Sequence, residues 1–294
     1  MDVRLGATAE SGTAVAMRPL VPAMRRLLFT AAVLVFLAGL QLFVFTDRTA
    51  TFFPWTIANP LAAAFIGAAY WASLAIEALA ARQLLWANAR IAVPAVSVFT
   101  VLTLSVTLTH LAKFHLDSRY AAGTRVVTVA WIAIYILVPV LMAIILPVQV
   151  RTPGLDPPRS AGLPTWICAA LAGQAVILFA VGVALFAVPQ QAGPMWPWKL
   201  TPLIAQATGV WLISLAVAAA HALLERDARR LRPAAAGYVL LGLLLVIALV
   251  RYPHYFQWRS AAGIIYLAFV AMMLLTGSAT LARDLSRSGG KTRR

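Results

Sequence analysis

The sequence predicts an all-α polytopic membrane protein with eight transmembrane helices arranged as two parallel four-helix repeats. Three observations carry that expectation. Of 294 residues, 62% are hydrophobic and 11% charged, against about 25% charged in soluble domains, so most of the surface is expected to face lipid. Eight stretches approach the roughly 20 apolar residues that cross a hydrocarbon core: 27–46, 60–80, 91–112, 126–148, 165–188, 202–223, 236–252 and 260–282. Finally, Phe36, Gly39, Leu42, Phe43, Pro54 and Trp55 return without a gap as Phe179, Gly182, Leu185, Phe186, Pro197 and Trp198. After a slip of one residue, Pro60-Leu61 and Gly67 return as Pro202-Leu203 and Gly209. Ala and Leu would recur by chance in so apolar a chain; a Pro-Trp pair and two spaced glycines would not.

Residues 1–25, rich in Ala, Gly, Ser and Thr, read as a mobile cytoplasmic tail. The first membrane unit follows at 26–148. Its first span, behind Arg25-Arg26, is too long for a signal-peptide core, lacks a small-x-small cleavage site and has a counterpart at 165–188, so it is read as retained. The second span opens with Asn59 at the N-cap and Pro60 at the first helical position. The fourth span ends at a Pro-rich linker, 149–164, where Pro153, Gly154, Pro157 and Pro158 stop the helix. The second unit occupies 165–282. Cys168 lies alone inside its first span, where no internal disulfide is possible. Thr201-Pro202 repeats the capping arrangement. The seventh span, 236–252, is the shortest and needs Arg251 and Tyr252 in the headgroups. A basic tail, 283–294, closes the chain.

Four spans per unit make both units enter the membrane in the same sense, so the repeats are parallel rather than inverted. With both termini on one side, that side carries 17 of the 24 Lys and Arg residues. This asymmetry places the termini in the cytoplasm and accounts for the +15 net charge without a nucleic-acid partner. The partner it implies is the lipid bilayer.

Three places are candidates for chemistry. The repeated Pro-Trp loop brings Trp55, Asn59, Trp198 and Lys199 to the starts of the second and sixth spans, where helix N-termini can hold an anionic group; the alternative is an interfacial tryptophan belt with capped helices. His110, His115 and His254 lie among aromatic residues at the outer ends of the third and seventh spans. Their spacing is poor for a metal, and no metal or other cofactor is expected. The third place is a divergent pair: Glu77 and His221 occupy equivalent positions in the second and sixth spans. Intramembrane ionisable groups are functional candidates by default, and these two are read as an ionisable coupling pair, the alternative being that both snorkel to the headgroups. Ser97, Thr100, Thr103, Thr107 and His110 recur along one face of the third span and are candidates to line a polar cavity; the seventh span is apolar from Val239 to Leu249 and is not expected to line one.

The stretch Phe53-Pro-Trp-Thr-Ile-Ala-Asn-Pro-Leu-Ala-Ala-Ala-Phe-Ile-Gly-Ala-Ala-Tyr-Trp71 resembles a segment of uncharacterised multi-pass membrane proteins of high-GC bacteria. Thr109-His-Leu-Ala-Lys-Phe-His115 and the run from Trp131 to Pro139 are similar as well. The resemblance covers most of the first half and implies a bacterial inner-membrane location; it carries no activity and assigns no functional residue. No Walker A loop, dinucleotide fingerprint, HExxH or G-x-S-x-G is present. The leading expectation is a secondary transporter or permease for a small solute. The alternatives are an outer-face enzyme or redox protein using His110, His115 and His254, and a non-catalytic assembly partner.

Overall fold

The structure, a computed structural model, describes residues 16–289. Among them are eight helices long and apolar enough to cross a membrane, and no strand beyond three isolated bridges. Helix α1, Pro22–Gly39, runs on as a π-turn over Leu40–Val44. Helix α2 is Pro60–Ala81 and α3 is Trp86–Thr109, with a 3-10 turn at Arg90–Ala92 just ahead of Pro94. Helices α4, Ala122–Arg151, and α5, Thr165–Ala187, flank the linker. Then come α6, Pro202–Glu225, α7, Ala228–Arg251, and α8, Ala261–Gly289.

Three boundaries differ from the expectation. The seventh helix is 24 residues long rather than the shortest, because Asp227 caps it by accepting the N–H groups of Arg229 and Arg230 at 3.1 and 3.2 Å. Its basic first turn, which reads as loop, is therefore helical. At the start, α1 begins at Pro22 within the segment expected to be a loose tail, and the strand-like bridges Met17–Leu155 and Pro19–Leu85 hold the residues before it. Residues 1–15 of that tail lie outside the described residues. At the other end α8 continues to Gly289, so part of the basic tail is helix, and residues 290–294 lie outside the described residues.

Successive helices alternate in direction, which creates two ends. The linker end gathers the linker with the joints α2–α3 and α6–α7, as in Ala228 N–H donating to Ala161 O at 2.7 Å. The Pro-Trp end gathers the remaining loops, as in His115 N–H donating to Pro54 O at 2.8 Å. Sideways, α2 packs on α1 and α7, while α6 packs on α5 and α3; α4 leans on α3, and α8 on α7. The inner helices are thus α2, α3, α6 and α7. In their apolar windows 72% of α6 is buried but only 22% of α4, which leaves the outer helices to cover the inner four and meet lipid.

Lipid tails are as apolar as leucine, so helices in a membrane associate through close packing at small residues. A Cβ at Gly67 would stand 2.5 Å from the backbone nitrogen of Phe43, and one at Gly209 2.6 Å from the carbonyl oxygen of Gly182 and 2.8 Å from the nitrogen of Phe186. Gly39 and Gly182 likewise press on α2 and α6, against Trp71 and Ile213. Gly67→Ala should therefore cost about 1–3 kcal/mol through overpacking. Gly173→Ala, where an added Cβ meets nothing within 4 Å, should instead stabilise its helix by about 0.5–1 kcal/mol. Thermal unfolding of both variants in detergent checks the contrast.

Candidate functional site

Glu77 lies on α2 one turn beyond Ser73, whose Oγ donates to its Oε1 at 3.0 Å. The side chain is 2% exposed, so it does not snorkel, and its Oε2 has no hydrogen-bond partner among the described residues. Ser73 also lines a cavity of about 40 Å³ enclosed by α2, α3, α6 and α7, together with Ser214, Phe99, Trp211 and Tyr238. The Tyr238 hydroxyl is buried and likewise lacks a partner. Such a space holds a water or two but nothing larger.

His221 does not meet Glu77. Its Nε2 lies 3.3 Å from Glu225 Oε1, one turn along α6, and its Nδ1 is unpartnered. The two candidates are not brought together because α2 has α1 and α7 as its main neighbours, whereas α6 has α5 and α3.

Glu225, 3% exposed, is the centre of a cluster that sequence reasoning missed. It accepts from Arg90 through Nε and through Nη2 at 2.8 Å, and from Arg230 Nη1 at 2.8 Å. Arg90 Nη1 donates to Asp156 Oδ2, and Arg230 Nη2 donates to the carbonyl of Pro157 at 2.6 Å. One buried carboxylate therefore ties α3, α6, α7 and the linker. Next to it Asp227 Oδ2 accepts the N–H groups of Ser160 and Ala161 at 2.6 and 2.8 Å, and Arg226 makes the joint in a left-handed conformation, φ 46°. The available signal was scarcity: the chain holds nine acidic residues, and Asp156, Glu225 and Asp227 are three of them.

The structure separates the five candidates on the third helix. Thr103 and Thr107 face a space of about 20 Å³ beside Trp131 and Trp211, and Trp131 donates its indole N–H to Thr107 Oγ1 at 3.2 Å. Ser97 and Thr100 bond carbonyls of their own helix, those of Val93 and Ser97, as such residues do cheaply in lipid. His110 Nε2 donates to Gln206 Oε1 at 2.6 Å, joining α3 to α6. The seventh helix lines the central, largely apolar cavity through Ala234, Gly237, Tyr238 and Leu241. The close approach of Gly237 to Ala72 and Ile76 on α2 places it there.

At the Pro-Trp end, Trp55 and Trp198 are buried, 4% and 1% exposed, rather than displayed as an interfacial belt. Trp55 packs on Phe53, Phe114 and Trp131; Trp198 packs on Trp196, Phe256 and Tyr266. The indole N–H groups of Trp55, Trp196 and Trp198 find no acceptor among the described residues. Asn59 Oδ1 accepts the N–H groups of Leu61 and Ala62 at 3.0 and 3.4 Å, so the start of α2 is closed to an anion, and Nδ2 donates to the carbonyl of Lys199 at 3.2 Å. The Lys199 side chain is exposed. Thr201 caps α6 by accepting the N–H of Ile204 at 3.4 Å.

The three histidines are not gathered. His254 is exposed, His110 is engaged with Gln206, and His115 is buried between Phe53 and Thr56. A carbonyl only accepts, so His115 Nδ1 donates to Phe53 O at 2.9 Å, and in the neutral ring Nε2 accepts from Thr56 Oγ1 at 3.0 Å. Burial lowers its pKa from the ordinary histidine value, the Phe53 carbonyl opposes that, and the Arg119 charge adds to it. No group of three or more His, Cys, Asp or Glu placed to hold a metal occurs among the described residues.

Fold and interior together define a polytopic, all-helical membrane protein. Comparison with protein-family models, with curated proteins and with solved structures gives no match.

Arg90→Ala strips one cation from buried Glu225 and should destabilise the protein by about 3–5 kcal/mol, while Arg82→Ala at an exposed position should stay within about 0.5 kcal/mol; unfolding midpoints in detergent decide. Because the folded state holds His115 below its unfolded pKa, the unfolded chain binds more protons. Stability should thus fall as pH drops through about 6.5 and level off once the folded group is also protonated. His115→Gln should show a smaller acid-induced loss of melting temperature, and equal losses would remove His115 as the cause.

Proposed function

We propose that the protein is a secondary carrier for a small solute in a bacterial inner membrane, its termini cytoplasmic, with Glu77 as the group that binds the coupling ion. The observation that carries the reading is the buried Glu77 carboxyl, one oxygen satisfied by Ser73 and the other unpartnered, beside a cavity walled by helices from both halves. An unpaired carboxylate is expensive to bury, and binding a proton or a cation removes that cost. The repeated glycines and Pro-Trp loops support descent of the halves from one unit, related in parallel. The Arg90–Glu225–Arg230–Asp156 cluster at the linker end and the aromatic packing around Trp55 and Trp198 at the other end support a carrier closed at both ends. Alternating access then amounts to breaking one closure while the other holds.

The test works without naming the solute beforehand. Liposomes with and without the purified protein are incubated in a small-molecule extract of bacterial cells under an imposed pH gradient, and their contents are compared by mass spectrometry. The expected result is at least one solute accumulated only with protein, reduced by a protonophore and lost in Glu77→Gln. An identical lumen with and without protein, at either polarity of the gradient, counts against the carrier.

A further inference from the structure

A second cavity, of about 410 Å³, lies between α5 and α8 towards the Pro-Trp end. Its origin is the way these helices meet. Gln174 Nε2 donates to Thr276 Oγ1 at 3.3 Å, which pins α5 to α8 nearer the linker end. Beyond that contact the helices leave a cleft flanked by residues 177–185 and 261–273, with Leu212, Leu215, Leu241 and Leu245 behind it. The size falls within the about 300–1,000 Å³ typical of ligand pockets, and the lining is apolar apart from Trp196 and Tyr266.

Two further observations say what fills it. Ile177, Val181 and Ile265 line the cleft and are 48%, 38% and 62% exposed, so its mouth opens on the outer faces of α5 and α8. In a bilayer those faces meet hydrocarbon, so the sideways entrance faces lipid. Trp196, 9% exposed, also lines the cleft, and its indole N–H has no acceptor among the described residues. An apolar slot open to lipid and lined by a buried tryptophan whose donor is unanswered fits a chain that carries an acceptor oxygen at its head.

We propose that this cleft binds one acyl chain of a bilayer phospholipid, entering sideways from the membrane, with an ester oxygen accepting the Trp196 N–H. Binding here is separate from the central cavity and does not depend on solute transport.

The test uses the full chain in nanodiscs containing phosphatidylglycerol with a diazirine in its acyl chain. After photolysis, adducts are mapped by peptide mass spectrometry. Labelling should concentrate on 177–185 and 261–273, about tenfold above residues 140–148 of α4, whose Val140, Ile144 and Val148 are exposed and lie away from the hollow between Ala122 and Ala130. Ala184→Phe and Ala262→Phe, which fill the cleft from opposite walls, should each reduce that labelling to the level of α4. Trp196→Phe keeps the ring, removes the donor and should reduce it severalfold. An unchanged melting temperature in at least one filling variant separates loss of the cleft from loss of the fold. Labelling spread evenly over α4, α5 and α8, or insensitive to a folded filling variant, overturns the proposal. Labelling by a diazirine fatty acid but not by the phospholipid overturns the choice of occupant.

Discussion

Everything in this bundle depends on backbones coming close enough to touch. Hydrocarbon solvent offers apolar side chains no reason to leave it, so cohesion has to come from tight van der Waals contact and from the few polar groups that join helices. Gly67 against Phe43 and Gly209 against Gly182 and Phe186 supply the first kind. They seat α2 on α1 and α6 on α5, and the remaining inner contacts are laid on those two pairs. The partly exposed outer helices can be almost uniformly apolar because the inner ones carry the fitted surfaces.

The polar groups that join helices are concentrated at the ends. At the linker end one carboxylate, Glu225, answers two arginines, and the aspartates on either side of it organise the linker and the α6–α7 joint. A buried charge with several donors is tolerable, whereas the same charge alone is not. Glu77 is the contrast within the same protein: among the described residues it has one hydroxyl donor and no cation hydrogen-bonded to it. The two glutamates thus differ in environment more than in depth, which is the physical ground for giving one a structural role and proposing a functional role for the other.

The eight helices were legible because apolar length and proline-capped starts are written locally; Asn59-Pro60 and Thr201-Pro202 are caps in the structure as they read in the sequence. The start of α7 was not legible, since Arg229, Arg230 and Arg232 look like solvated loop until Glu225 and Asp227 are seen beside them. The candidate site was legible residue by residue but not as an arrangement. Glu77 stood out as an acid inside a span, yet its pairing with His221 assumed that equivalent positions converge, and α2 and α6 have other main neighbours. Trp55 and Trp198 misled for a related reason: a tryptophan near a span end reads as interfacial unless the aromatic partners from Phe114, Trp131, Phe256 and Tyr266 are known to close over it.

The exchange of partners between the halves, α2 on α7 and α6 on α3, bears on how the chain is made. Membrane proteins are inserted from the N-terminus during synthesis, so α2 enters the bilayer well before α7 exists. Until then the face of α2 that receives Gly237 lies open, with Glu77 on the same helix. The first four spans consequently lack the α7 neighbour of α2 until the seventh helix has been delivered. Through that interval the chain holds a helix with one carboxyl, Glu77, and one face still waiting for its partner.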